Sequence, residues 1–455
     1  DTQQNRSERS QSFRKRAVPL NPLDIEGPSQ ARIRAVASLI ESCWPAVLAT
    51  SSTFLNAALD DHYYRSLIKA YQRFAQVAGL LRLSTPRDAL MTTLGKAAVP
   101  PHVLSASTAE PMRSPSIESP RVFSNPRHLL SVDSFVSQNS AASTERDRRS
   151  SVDPDRPTLT IRNLLCLRAL LNLAIALGPT LGPAFRLVID VLKQADMVLS
   201  AATPHQASRQ GAGSYSADES PSALHAFSSE VAAVEAAASR LLESTADYPN
   251  DAFVNIVETF CRLLRGRMPT AVMSPKAEEF SPPSTPTSQR RKISGLPGLS
   301  TLAEMQARDY QFILPKLGSL AALNVSRFVT NKPEESGWDL IVEETMKVAV
   351  ASSSPALARR AATDLLCKLC AACLAEVAEE ENELRATIQR RVLTILPRIV
   401  EGIYAEDGEL TSTDVEVQVQ VLDAVKNILE RSGESLVAGW NRVLALISSV
   451  FDSEN

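Results

Sequence analysis

The sequence predicts an all-α protein, an α-solenoid of stacked helical pairs interrupted by long disordered linkers. Three observations predict it. Glycine is scarce and proline abundant, 16 against 28 in 455 residues, so the chain reads as helices joined by proline-containing connections, not as a fold that spends glycine on tight hairpins and strained turns. Apolar residues recur at helical spacing through most of the chain, and no convincing alternating strand pair occurs. Polar Ser- and Pro-rich stretches cut this pattern into blocks, and such stretches cannot bury enough apolar surface to offset chain entropy.

Residues 1–30 are a basic, polar segment read as disordered. Helical repeats follow over 31–100. There Ile33, Val36, Ile40, Cys43 and Val47 share one face, and Tyr63, Leu67, Tyr71, Phe74, Ala78 and Leu81 form a cleaner stripe. In Thr85-Pro86-Arg87-Asp88, threonine is placed as N-cap and proline at the first helical position. Residues 101–157 read as a disordered Ser/Pro linker, 158–200 as a helical pair around Leu164, Leu167, Leu171 and Ile175, and 201–222 as a linker. A second pair spans 223–267, with Val231, Val234, Ala238 and Leu241 followed by Phe253, Ile256, Phe260 and Leu263; Asn250-Asp251 opens its second helix and Gly266 closes it. Residues 268–299 are again a disordered Ser/Pro linker. Over 300–453 helical repeats return, with Ile388, Val392, Ile395, Ile399 and Ile403 as one stripe and Leu422, Val425 and Leu429 as another.

Proline is placed at the turn between neighbouring helices at Trp44-Pro45, Leu314-Pro315 and Ser354-Pro355. Helix, proline turn, antiparallel helix is the unit of HEAT and armadillo repeats, each about 40–47 residues long. The array is therefore expected to be HEAT/armadillo-like, although its units share no repeated consensus.

Charge and motifs narrow the function. With 48 basic and 51 acidic residues the formal charge is −3, too balanced for a global field toward nucleic acid or anionic membrane. The least interrupted apolar run, Leu170–Phe185, holds two Gly-Pro steps and falls short of the roughly 18 residues of a spanning helix, so no transmembrane span is expected. The six cysteines lack a framework spacing and are read as reduced thiols in a cytoplasmic protein. Cys367, Cys370 and Cys373 could gather around an ion only if the backbone curled; on an uninterrupted helix they are small core hydrophobes, and no metal is assigned. The five histidines are scattered, and no Walker, dinucleotide-glycine, nucleophile-elbow or zinc-protease pattern occurs. No catalytic residue and no cofactor are assigned, and the chain is read as a non-enzyme. Asp at position 1 in place of Met gives the expectation of a piece of a longer protein.

The basic clusters Arg14-Lys15-Arg16, Arg146-Asp147-Arg148-Arg149 and Arg290-Arg291-Lys292 are shorter than the about four to eight charges of a lipid-binding switch. Basic residues before Ser150, Ser151 and Ser294, and Ser-Pro or Thr-Pro steps at Ser114, Ser119, Ser281 and Thr285, make these seven the candidate phosphorylation sites, which would place negative charge beside the helices. Trp44, Trp338 and Trp440 read as early helix positions whose rings fill gaps between helical pairs, or meet a partner; Trp440→Ala is expected to cost about 3–5 kcal/mol if the ring is buried. Tyr71 and Phe74 are expected on a buried stripe.

Several stretches together resemble a known family. CWPAVLATSSTFLNAALDD and TPRDALMTTLGKAAVP within Ala31–Val99, NLLCLRALLNLAIALGPTLGPAFRLVIDVLKQADMVL within 159–199, and LLESTADYPNDAFVNIVETFCRLL at 241–264 are similar to the central region of the monensin-sensitivity-two (Mon-two) trafficking scaffolds. These are relatives of the large Golgi Arf guanine-nucleotide exchange factors. SLVAGWNRVLALISSVF at 435–451 resembles the homology segments downstream of the exchange domain in that superfamily, where a Gly-Trp step opens a helix. The resemblance implies a helical-repeat scaffold, peripheral on Golgi and endosome membranes, acting with a Dopey-type scaffold, an aminophospholipid flippase and Arf-like GTPases. One departure matters. The exchange domain's catalytic Gly-Glu loop is absent from these residues, so no exchange activity is carried over. Two other readings stand beside this one: the regulatory C-terminal region of a large Arf exchange factor, and a generic transport receptor or assembly scaffold. An exchange domain encoded upstream would favour the former, and diffuse or nuclear-rim localisation the latter.

Overall fold

The computed structural model describes residues 18–108, 158–207, 221–266, 299–405 and 410–452. The described residues are all-α. Seventeen α-helices and no strand occur among them: α1 (Gln30–Leu55), α2 (Asp61–Leu80), α3 (Ser84–Ala98), α4 (Pro101–Thr108), α5 (Ile161–Leu177), α6 (Phe185–Ala207), α7 (Pro221–Ser244), α8 (Asn250–Leu264), α9 (Leu299–Leu323), α10 (Val325–Thr330), α11 (Pro333–Ser336), α12 (Trp338–Val350), α13 (Ala356–Glu376), α14 (Asn382–Leu393), α15 (Ile395–Tyr404), α16 (Ser412–Ser432) and α17 (Trp440–Asp452).

The helices stand in two rows. One row runs α2, α5, α7, α9, α13, α16, each packed on the next; the other runs α3, α6, α8, α12, α15, α17 in the same way. Helices of the second row also seat in the first, α3 on α5, α8 on α9, α12 on α13 and α15 on α16. Helix α1 covers the α2–α3 end. Sequential helices stacked in two rows are what an α-solenoid requires. A large apolar core follows from this packing and runs from Leu55 to Leu446, with a smaller separate cluster of Ala37, Ile40, Ala78, Leu81 and Leu83 under α1. Because every middle helix is covered on both sides, α5 buries ten of its residues, and its cover includes Cys166, Leu167, Leu170 and Leu171 at 0% exposure.

Several local expectations change against this frame. Pro45 and Pro315 lie inside α1 and α9 and end neither helix. Each removes one backbone donor, and the remaining helical hydrogen bonds carry both helices past it. Only Pro355 stands at a turn, as the residue before α13. Trp44 is therefore mid-helix, half-buried, and not an early position. The α3 helix begins at Ser84 after Leu83, so Thr85 is not its cap, and Pro86 sits in the first turn, where its missing N–H costs nothing. The stripe from Ile388 to Ile403 belongs to two helices that part at Thr394. Pro397 explains the break, since it has no N–H to offer the Leu393 carbonyl. The stretch read as linker from 101 opens with α4, and the one read as linker from 201 still carries α6 as far as Ala207.

Side-chain phase also differs in places. Tyr63 points outward at 66% exposure, while its neighbour Tyr64 is buried at 2%. Tyr71 is buried and donates its hydroxyl to the Leu90 carbonyl at 2.8 Å, whereas Phe74 is half-buried. Val36 is exposed, and Ala37 and Ile40 face inward instead.

Two stretches, Gln30–Leu55 and Ile161–Ser200, do reach the length and hydropathy of a membrane span. The second breaks at Gly178 and Gly182, both at φ +54°, and 61% of its apolar window is buried among other helices, which makes it the core of the fold. Only 11% of the first is buried.

Candidate interaction surfaces

Among the described residues no group of three or more His, Cys, Asp or Glu side chains converges as a metal site would require. Cys367, Cys370 and Cys373 lie on the regular helix α13, all buried and all free thiols. Desolvation pushes the Cys367 and Cys373 thiols up to about 12 and Cys370 well above its ordinary value. They are thus uncharged packing groups at neutral pH, the form least suited to nucleophilic or metal chemistry. Cys166 is similar, raised to about 11 by burial, and lies 3.2 Å from the Tyr64 hydroxyl.

What the fold does position are arginines that tie one helical unit to the next. Arg327, 0% exposed in α10, donates to the carbonyls of Thr245 and Tyr248 at 3.2 and 2.7 Å and to Asn250 Oδ1 at 2.6 Å, with its guanidinium 4.6 Å from the Phe253 ring centroid. The carbonyls it meets lie in the turn just after α7, where backbone acceptors are left over by the helix and carry partial negative charge. Arg162 does the same for the turn after α1, reaching the Ala57 and Leu59 carbonyls. Arg359 reaches the Ala349 carbonyl at 3.0 Å and pairs with Asp414, joining α12, α13 and α16. Arg391 spans from the Phe328 carbonyl at 2.6 Å to the face of Trp338 at 4.8 Å.

Carboxylates in these ties behave as charged partners. Burial works to raise the Asp414 carboxyl, but hydrogen bonds from Thr411 and Arg359, together with the Arg359 charge, outweigh it and hold the group below the usual carboxylate range. The same balance holds for Glu344, buried between Arg265 at 2.9 Å and Lys347 at 2.7 Å. Glu230 bridges Arg65 and Arg168, connecting α7 with α2 and α5.

The three tryptophans separate into different roles. Trp338 is 3% exposed; its ring meets Phe328 edge-on at 5.7 Å and Arg391 covers its face. Gly337, at φ +77°, turns the chain into α12 and places that ring. Trp440 also follows a left-handed glycine, Gly439 at φ +89°, yet is 42% exposed, its indole N–H donating to the Leu436 carbonyl at 3.1 Å. The ring of Trp440 thus does not fill a gap between pairs, since 42% of it is exposed and, among the described residues, no helix packs on the outer side of α17. Trp44 lies half-buried on α1.

One groove faces outward between α9 and α13. Two adjoining hollows of about 380 and 410 Å³ share Leu314, Pro315 and Ala361 as walls. Small residues such as Ala307, Gly318, Ala358 and Ala372 alternate in the remaining walls with Tyr310, Leu357, Leu365 and Leu369, and the Asp364–Lys368 ion pair borders one hollow. The candidate phosphorylation sites Ser114, Ser119, Ser150, Ser151, Ser281, Thr285 and Ser294 lie outside the described residues.

The interunit arginines were missed in sequence, although each interrupts an apolar helical run, as in VSRFVT and ALARRAAT. An arginine on an otherwise apolar face is the signal that could have found them.

Stacked helices tied across units by buried and half-buried arginines define an all-α protein compatible with a helical-repeat array. Comparison with known proteins narrows the class. Over 442 residues the chain is 23% identical to the MON2 homolog of Schizosaccharomyces pombe, which covers 93% of this chain and 27% of that protein. It is 32% identical over 193 residues to the Xenopus laevis MON2 homolog and 32% identical over 168 residues to the human one, covering 40% and 35% of this chain and 11% and 9% of those proteins. These matches make the chain similar to MON2 homologs, in one case along nearly its whole length. It spans about a quarter of the length of the S. pombe relative. No family profile matches the chain, and no solved structure matches it either.

Proposed function

We propose that this chain is a segment of a non-enzymatic helical-repeat scaffold that serves endosome-to-Golgi and vesicle-mediated protein transport. The observation that carries the reading is the match to a MON2 homolog along 93% of the chain, joined to a fold whose two helical rows offer long surfaces. Area, not a nucleophile, is what such a fold supplies to function. The scaffold is peripheral on Golgi and endosome membranes from the cytoplasmic side, and its partners are proteins: a Dopey-type scaffold, a flippase and Arf-like GTPases. The groove between α9 and α13 is the surface best shaped for a partner segment.

Tagging the full-length protein and imaging it against Golgi and endosome markers, with pull-down scored for the Dopey-type protein, tests this. Colocalisation with recovery of that partner is the expected result. A diffuse or nuclear-rim signal without it would overturn the trafficking reading, and nucleotide exchange on an Arf-type GTPase by the purified full-length protein would overturn the non-enzymatic one.

A further inference from the structure

Exposed large apolar side chains are distributed unevenly. Among the described residues none lies between Leu81 and Glu304, whereas Val415, Val419, Trp440, Leu444 and Ile447 stand on the last two helices and Val437 in the connection between them. On α16, Val417, Val421, Val425 and Ile428 are buried on the side toward the preceding units, while Val415 and Val419 are about half exposed and Leu422 is half-buried. On α17, Val443 and Leu446 are buried, and Trp440, Leu444 and Ile447 are 42%, 57% and 38% exposed. Both exposed sets follow i, i+4, i+7 spacing, so each is a continuous stripe. At 3.6 residues per turn each lies roughly 100–130° round its helix from the buried set.

A helix with two apolar sides is built to be covered twice. Earlier units show what the second cover is: the helix next in its row, as α16 covers α13 and α12 covers α8. The terminal stripes continue that interface with its outer partner missing. We infer that Val415, Val419 and Leu422 of α16 with Trp440, Leu444 and Ile447 of α17 form a docking face for one further antiparallel helical pair of the same polypeptide, stacked in register on the two rows. The S. pombe relative is long enough to hold such a pair, since the aligned region is 27% of it. The inference concerns stacking alone and does not depend on what the scaffold carries.

The test compares the 455-residue chain with the full-length polypeptide, each bearing Leu444→Cys, by maleimide labelling read peptide by peptide in a mass spectrometer. Arg442→Cys, at an exposed position off the stripe, is the control. Labelling at 444 slower by about tenfold or more in the full-length protein, with position 442 labelled alike in both, is the expected result. Equal rates at 444 would overturn the proposal. So would slow labelling in the 455-residue chain accompanied by a dimer mass in sedimentation that Leu444→Asp abolishes, since a second copy would then occupy the face.

Discussion

Trp338 and Trp440 both follow a left-handed glycine and both open a helix, yet truncating them should have very different costs. Trp338→Ala removes a ring that is 3% exposed. At ~25 cal/mol per Å² and roughly 200 Å² of buried ring, the transfer loss has an upper bound of about 5 kcal/mol. Lost contact with Phe328, 5.7 Å away, and a cavity that α12 and α13 cannot fully close add to it. The expected destabilisation is about 3–5 kcal/mol. The Arg391 guanidinium, 4.8 Å from the ring, also loses the aromatic face that shields it, and desolvation already holds its pKa below the ordinary arginine value. Trp440 is 42% exposed, which removes roughly 40% of the transfer loss, and the vacated space is open to water so no cavity forms. An upper bound of about 3 kcal/mol remains for Trp440→Ala, with no cavity cost added to it. Urea titration followed by far-UV circular dichroism gives both numbers, and hydrogen exchange localises them, because stacked units can open separately. The difference should appear as faster exchange in α12 and α13 for Trp338→Ala, with Trp440→Ala confined to α17. Equal midpoints for the two variants would refute the reasoning.

Acid and thiol chemistry give two further expectations. The carboxyls of Asp414 and Glu344 are held below their ordinary values in the fold, so the unfolded chain binds protons first; their stabilisation is full above about pH 4 and is lost as pH falls through the lower folded values. Asp414→Asn should flatten that acid loss and lower stability at pH 7 by leaving buried Arg359 without its carboxylate, and an acid-unfolding curve identical to the parent's would count against it. In a thiol titration with an aromatic disulfide at pH 8, Cys43 should react in the native protein while Cys166, Cys261, Cys367, Cys370 and Cys373 wait for denaturant. Fast reaction at any thiol of α13 would show that the helix opens far more readily than its packing implies.

The helices were legible because their physics is local. Apolar spacing, the shortage of glycine and polar interruptions depend on near neighbours in the chain, and they placed α2, α8 and α13 with little error. Proline at 45 and 315 weakens a helix locally, but the remaining helical hydrogen bonds carry both helices past it, whereas Pro397 falls where a break could be tolerated. Where a side chain was misplaced, the deciding contact lay far away in sequence. Tyr63 and Tyr64 fit the periodic pattern almost equally well, and only the approach of Cys166 from α5 selects Tyr64 for the interior.

Similarity to the MON2 homologs needed no coordinates, since it rests on residue identity along the chain. Sequence by itself therefore determined the helical class and its relatives. Tertiary structure alone decided that Trp338 is core while Trp440 is surface, that arginines 162, 327, 359 and 391 serve as ties between units, and that the apolar faces left open gather at the ends of the rows. The physical reason is the same in each case. Burial and hydrogen-bond partnership belong to pairs of elements, and the partner of Arg327 lies about eighty residues away, beyond the reach of any local pattern.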